Sequence, residues 1–141
     1  MSDKVSVLQG NAEQMPFGDN TVDLIVSRGS IFFWNDKSQG LREIYRVLKP
    51  GGIAFIGGGV SRYLSEWERE IFIKWREAEL EKEGEKKREE WYKLRSPDYF
   101  YQLSKDAGIS NFKIIPDPPG TWVEIRKEQN AKVCDSSYEF N

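Results

Sequence analysis

Apolar residues recur along this chain at two different spacings, and the spacing changes where Pro and Gly interrupt it. Leu41, Ile44, Tyr45 and Leu48 fall at i, i+3, i+4 and i+7, one face of a helix. Arg42, Glu43, Arg46 and Lys49 lie largely off that face, and the basic residues at its end suit the negative pole of the helix. Asp36 is the expected N-cap. Pro50-Gly51-Gly52 is expected to stop the helix near Lys49, because Pro cannot extend the ladder and Gly takes the left-handed conformation that closes it. Short apolar runs at residues 5–8, 22–26 and 53–56 predict strands, and the near-continuous run at 22–26 predicts burial on both faces.

The rest of the pattern predicts further elements. Residues 9–20 read as a loop broken by Gly10, Pro16 and Gly18, and residues 30–34 as a loop or a single helical turn. Helical sequence runs over 63–94, where Trp67, Ile71, Trp75 and Ala78 predict one apolar stripe. Ser96-Pro97-Asp98 starts another helix, with Ser as N-cap and Pro at its first position, and Gly108 ends it. Residues 112–115 and 122–126 read as strands flanking Pro116-Asp117-Pro118-Pro119-Gly120. Alternation of strand and helix predicts an α/β domain over 1–127, with 128–141 as a flexible tail.

Composition narrows the function classes. With 141 residues, 38% of them apolar, the chain supports one domain. A net charge of −2 gives no field that recruits nucleic acid or an acidic membrane. The single cysteine, Cys134, cannot form an internal disulfide and suits a reducing cytoplasm. The absence of histidine removes the commonest general base and metal ligand, so no metal site is expected. Mixed-sign charge over residues 79–90 reads as a solvated helix face, with Gly84 as a break on which a lid could turn.

Three motifs in fixed order carry a resemblance. Gly10-Asn11-Ala12-Glu13-Gln14-Met15-Pro16-Phe17, then Asp19-Asn20-Thr21-Val22-Asp23-Leu24-Ile25-Val26-Ser27, then the helix and Lys49-Pro50-Gly51-Gly52 resemble the middle of a class I S-adenosylmethionine-dependent methyltransferase of the small-molecule type. The resemblance covers roughly residues 5–59 well and the remainder loosely. It implies a Rossmann-like three-layer sandwich whose full sheet order is 3-2-1-4-5-7-6. The family opens with a Gly-x-Gly-x-Gly turn and a second strand ending in a ribose-binding acid. Neither precedes residue 5, so the expectation is a domain truncated at its N-terminus, with its first two strands absent.

The resemblance also implies site residues. Gly10, Asn11 and Ala12 fall where the family holds adenine, with the Asn11 amide in place of an aspartate and Met15 and Phe17 as apolar walls. Gly10-Asn11 is also ordinary turn chemistry. Ser27, Arg28 and Gly29 leave the strand where the family places the methionine moiety of S-adenosylmethionine. Gly29 permits close backbone approach, and Arg28 can pair with a carboxylate of cofactor or substrate. Trp34, in the apolar stretch 31–34, and Gly57 and Gly58 are expected to face the acceptor, although all of them also suit core or turn roles. Asp23 reads as structural, and no residue identifies a catalytic acid or base.

The resulting expectation is methyl transfer to a small-molecule substrate, or, as the alternative, a non-catalytic remnant or subunit that meets a partner through an exposed sheet edge. That partner would be a second copy in a homo-oligomer or a complementing N-terminal half.

Overall fold

The computed structural model describes residues 3–61 and 63–129. The expected tail lies outside the described residues from 130 onwards. Four strands, β1 (Val22–Arg28), β2 (Leu48–Gly58), β3 (Phe112–Asp117) and β4 (Gly120–Arg126), form one sheet in the order β1-β2-β4-β3. β1 and β2 are parallel, and β4 runs antiparallel to both β2 and β3. This reproduces the 4-5-7-6 half of the expected order and leaves β1 with an open edge.

Helix α1 (Lys37–Val47) forms as its pattern dictates. The Asp36 side chain accepts from the Gln39 N–H at 3.0 Å, satisfying one of the orphan donors at the helix start. Leu41, Ile44, Val47 and Leu48 are fully buried against the sheet. The helix ends at Val47, earlier than expected: Leu48 is already extended and starts β2. Pro50-Gly51-Gly52 therefore makes an irregularity inside β2, where the register against β1 jumps from Val22↔Leu48 to Leu24↔Ile53, and does not serve as the helix stop.

Helices α2 (Glu66–Glu83) and α3 (Glu85–Lys93) replace the single expected helical stretch, broken at Gly84 where φ is +102°. A capping box between Ser65 and Glu68 starts α2. Helix α4 (Pro97–Asp106) begins at the Ser96 cap, as expected. α1 and α4 pack on one face of the sheet, where Ile25, Ala54, Ile56, Phe100, Leu103, Val123 and Ile125 form the core. The described residues thus build the sheet and one helical layer of the sandwich.

Three expectations need correction. Residues 5–8 form no strand: they have no ladder partner, and Val5, Val7 and Leu8 are exposed. β1 is not buried on both faces, because Leu24 and Val26, on the face away from α1, are 61% and 69% exposed. The stripe of Trp67, Ile71 and Trp75 lies along α2 as expected and is exposed, while Leu80 is buried. Glu43, read as off the packed face, is buried, because the loop before β1 folds over it.

Candidate functional site

β1 and β2 both deliver their carboxyl ends to one edge of the sheet, the edge at which α/β folds place ligands. Two linings flank the short 3-10 turn Ile31–Phe33 that follows β1. Ile31 is buried in the core and anchors the turn, while Phe33 is exposed.

On one side lies an open groove of about 590 Å³ lined by Gly10, Asn11, Ala12, Glu13, Ser30, Phe33, Trp34 and Asn35. It adjoins a smaller pocket in which Met15, Pro16 and Phe17 form an apolar wall beside the same Gly10-Asn11-Ala12 stretch. Asn11 Oδ1 accepts from the Glu13 N–H at 2.9 Å, and the Gln14 N–H donates to the Asn11 carbonyl at 3.0 Å. These bonds shape a tight turn, so the turn chemistry read from the sequence is present. They leave the Asn11 Nδ2 group and one Oδ1 lone pair without partners among the described residues. The Glu13 carboxylate accepts from the Asn35 and Asp36 N–H groups at 3.0 and 3.2 Å, which ties this turn to the start of α1. Trp34 packs over Gly40 of α1 and so serves the core and the groove together.

On the other side of the turn is a more enclosed cavity of about 240 Å³. Arg28, Gly29, Phe32, Phe33, Gly58 and Val60 line it from the sheet edge, and Phe72, Arg76, Trp91 and Arg95 line it from α2, α3 and the turn after α3. Gly29 has φ +83°, a conformation that favours glycine, and no atom would lie within 4 Å of an added Cβ. Its N–H donates to the Gly57 carbonyl at 2.7 Å, which joins the ends of β1 and β2. The Arg28 guanidinium donates to the Gly59 carbonyl at 3.2 Å and has no acidic partner among the described residues.

Ser27 and Gly57 line neither side. The Ser27 hydroxyl bonds that of Ser30 at 2.7 Å and closes the turn. At Gly57 an added Cβ would lie 2.3 Å from the Thr121 carbonyl oxygen, so glycine is required there for the close approach of β4. Gly58 does line the cavity. Of the expected contacts, Gly10, Asn11, Ala12 and Met15 thus gather on one side of the Ile31–Phe33 turn. Arg28, Gly29 and Gly58 gather on the other.

The sequence reading missed Arg76, Trp91 and Arg95. The Arg95 guanidinium carbon sits 4.0 Å from the Phe32 ring centre and 4.1 Å from that of Trp91. Burial, and after it the charge of Arg76, pushes Arg95 down to about 10. The available signal was the i, i+4 spacing of Trp91 and Arg95, which sets a cation over a ring.

Among the described residues no group of His, Cys, Asp and Glu side chains is arranged to hold a metal, and no helix is long and apolar enough to cross a membrane. The residues present fit an adenosyl group at the Asn11 turn, where the Ala12 N–H has no hydrogen-bond partner among the described residues and an apolar wall adjoins it.

Comparison with known proteins bears on the fold and the motifs. The family described as a methyltransferase domain matches residues 1–56. A chloroplastic 2-methyl-6-phytyl-1,4-hydroquinone methyltransferase of Arabidopsis thaliana is 38% identical over 104 residues, 62% of this chain and 30% of that protein. A rice protein of the same description is 40% identical over 82 residues, 50% of this chain and 25% of that one. The chain thus spans less than a third of the length of these curated relatives. A solved structure from Methanococcus maripaludis, described as a candidate S-adenosyl-L-methionine-dependent methyltransferase, superposes with a TM-score of 0.67 at 36% identity, covering 91% of this chain and 57% of that one. Strand order, motif order and these likenesses converge on homology to the class I S-adenosylmethionine-dependent methyltransferases.

Proposed function

We propose that this chain takes part in methyl transfer from S-adenosylmethionine to a small-molecule acceptor, with the two ligands on opposite sides of the Ile31–Phe33 turn. The observation that carries this reading is Phe33, which contributes to the linings of both the Asn11 groove and the arginine-lined cavity. The two ligands meet around its exposed ring. Asn11 and the Ala12 N–H bind the adenine end, Met15 and Phe17 wall it, and Gly29 gives the reacting end open space beside the backbone. Bound S-adenosylmethionine supplies an electrophilic methyl group on a sulfonium. An already nucleophilic acceptor then needs alignment more than proton transfer, and alignment is what converging linings provide. The lone cysteine supports a reducing, cytoplasmic setting for this chemistry.

The test is chemical-shift mapping of the chain with S-adenosylhomocysteine at millimolar concentration. Shifts concentrated at Asn11, Ala12, Gly29 and Phe33 are expected. Shifts confined to other surfaces, or none at all, overturn the reading.

A second reading is favoured by the open edge and outer face of β1, where Leu24 and Val26 stand exposed. On this reading a second copy of the chain, or a complementing half, covers that strand. Sedimentation of the wild type against a Leu24→Lys, Val26→Lys variant tests for self-association. A wild type that stays monomeric at high concentration removes the second copy.

A further inference from the structure

The cavity beside Phe33 is lined by three arginines, Arg28, Arg76 and Arg95, and by no carboxylate. Neither Arg76 nor Arg95 has an ion-pair partner among the described residues. The neighbouring acids are engaged elsewhere: Glu77 binds Arg88 at 3.0 Å and the Tyr92 hydroxyl, and Asp117 accepts from Trp122 Nε1 at 3.1 Å and faces Arg69 at 3.7 Å. Arg76 Nε is buried and makes no hydrogen bond, a state that folded proteins rarely leave unexplained.

The two guanidinium groups are held by aromatic rings and, for Arg95, by one Nη1 bond donated to the Trp91 carbonyl at 3.2 Å, and not by anions. Arg95 lies close to both the Phe32 and Trp91 rings, and Arg76 sits 4.9 Å from the Trp75 ring centre and 5.5 Å from that of Trp91. Such stacking fixes each guanidinium plane while leaving N–H edges for a ligand. The Arg76 charge opposes that of Arg95 across a partly desolvated space, and an anion placed between them relieves the repulsion. The remaining lining is flat and apolar, from Phe32, Phe72 and Trp91. A volume of about 240 Å³ suits a one-ring compound.

We infer that this cavity takes a small planar acid, its carboxylate received by Arg76 and Arg95 and its ring by Phe32, Phe72 and Trp91. This deepens the proposed function by assigning a chemical class to the acceptor, and it rests on reading the cavity as the acceptor side. Arg76 and Arg95 are binding residues in this assignment, and they select the acid against its neutral analogues.

Benzoate, benzamide and inorganic phosphate serve as probes, titrated into the full chain by chemical-shift mapping with the Trp91 indole N–H as reporter, with and without S-adenosylhomocysteine. Benzoate is expected to bind at least tenfold more tightly than benzamide or phosphate. Arg76→Gln is expected to weaken benzoate at least tenfold with an unchanged melting temperature. Arg95→Lys, which keeps the charge and loses the fork, is expected to weaken it severalfold. Equal binding of benzoate and benzamide, binding of phosphate as tight as that of benzoate, or benzoate affinity unchanged in a folded Arg76→Gln chain overturns the inference. The two readings fail separately. S-adenosylhomocysteine binding without benzoate binding removes the acid site and leaves the methyl-transfer reading, and benzoate binding without S-adenosylhomocysteine binding does the reverse.

Discussion

The Glu43 carboxylate, on the α1 helix, accepts the backbone N–H of Met15 at 2.8 Å across 28 residues of chain. Arg46 completes the arrangement. It holds Glu43 through Nε at 2.7 Å, reaches Asp19 at 2.8 Å and donates to the Met15 carbonyl at 3.3 Å. Two residues one helical turn apart thereby fasten the loop that carries Gly10, Asn11 and Ala12 onto the core helix. The Asn11 groove owes its shape to a charge pair that also seals the edge of the core.

This pair sets a pH dependence. Hydrogen bonds from Arg46 hold the Glu43 carboxyl below its ordinary value of 4.5, with burial opposing. A depressed folded value means that the stabilisation is full above the unfolded pKa and is lost as pH falls through the folded one. Glu43→Gln should therefore lower the urea midpoint at pH 7, and its difference from wild type should shrink as pH falls below about 4. A difference that stays constant down to acid pH would show that the charge on Glu43 contributes nothing.

Packing gives a second prediction. Leu48 is fully buried where α1 ends and β2 begins. Leu48→Ala should cost about 2–5 kcal/mol, the usual range for truncating a buried leucine. Arg42, exposed and with its side chain bonded among the described residues to Gln39 and the Asp106 carbonyl, should cost about 0.5 kcal/mol on change to Ala. Comparable losses in urea denaturation would mean that α1 does not pack on the sheet as described.

How far the sequence revealed this structure depends on whether the forces were local. Asp36, Leu41, Ile44 and Ser96 act within a turn or two of helix, so caps and the α1 face were legible, and the resemblance supplied the strand order. The strand at residues 5–8 was wrongly expected because an apolar run needs a ladder partner, and the run itself does not say whether one exists. Spacing placed Trp67, Ile71 and Trp75 on one face correctly but could not say which face of α2 meets the protein. Arg76 and Arg95 were hidden because an arginine in a charged helical stretch reads as solvated until Trp91 and Phe32 are brought beside it from other elements.

The two strand-end glycines separate backbone freedom from steric need. Gly29→Ala meets open space and costs only the left-handed strain, about 1–2 kcal/mol. Gly57→Ala carries a positive φ of +145° and also drives a methyl group against the Thr121 carbonyl, so the β2–β4 pairing must shift. Thermal melts should show a distinctly larger drop for Gly57→Ala, together with amide shift changes along β4. A smaller drop at Gly57 than at Gly29 would contradict the close approach of the two strands.

Asn11 offers the most direct test of the adenine side. Its Oδ1 already accepts the Glu13 N–H, a bond that an aspartate oxygen makes equally well, so Asn11→Asp should preserve the turn. The second oxygen then accepts from an amino group with a full charge where Asn11 offers a dipole, and charge-assisted bonds are about twice as strong as neutral ones. Glu13 adds a nearby like charge, but its carboxylate is occupied by the Asn35 and Asp36 N–H groups. Calorimetric titration with S-adenosylhomocysteine should therefore show binding roughly three- to tenfold tighter in Asn11→Asp, about 1 kcal/mol. Asn11→Ala, which removes both the turn bond and the acceptor, should weaken it. Unchanged or weaker binding in the aspartate variant, with the fold intact, would take Asn11 out of the cofactor site and leave its side chain a turn-forming role alone.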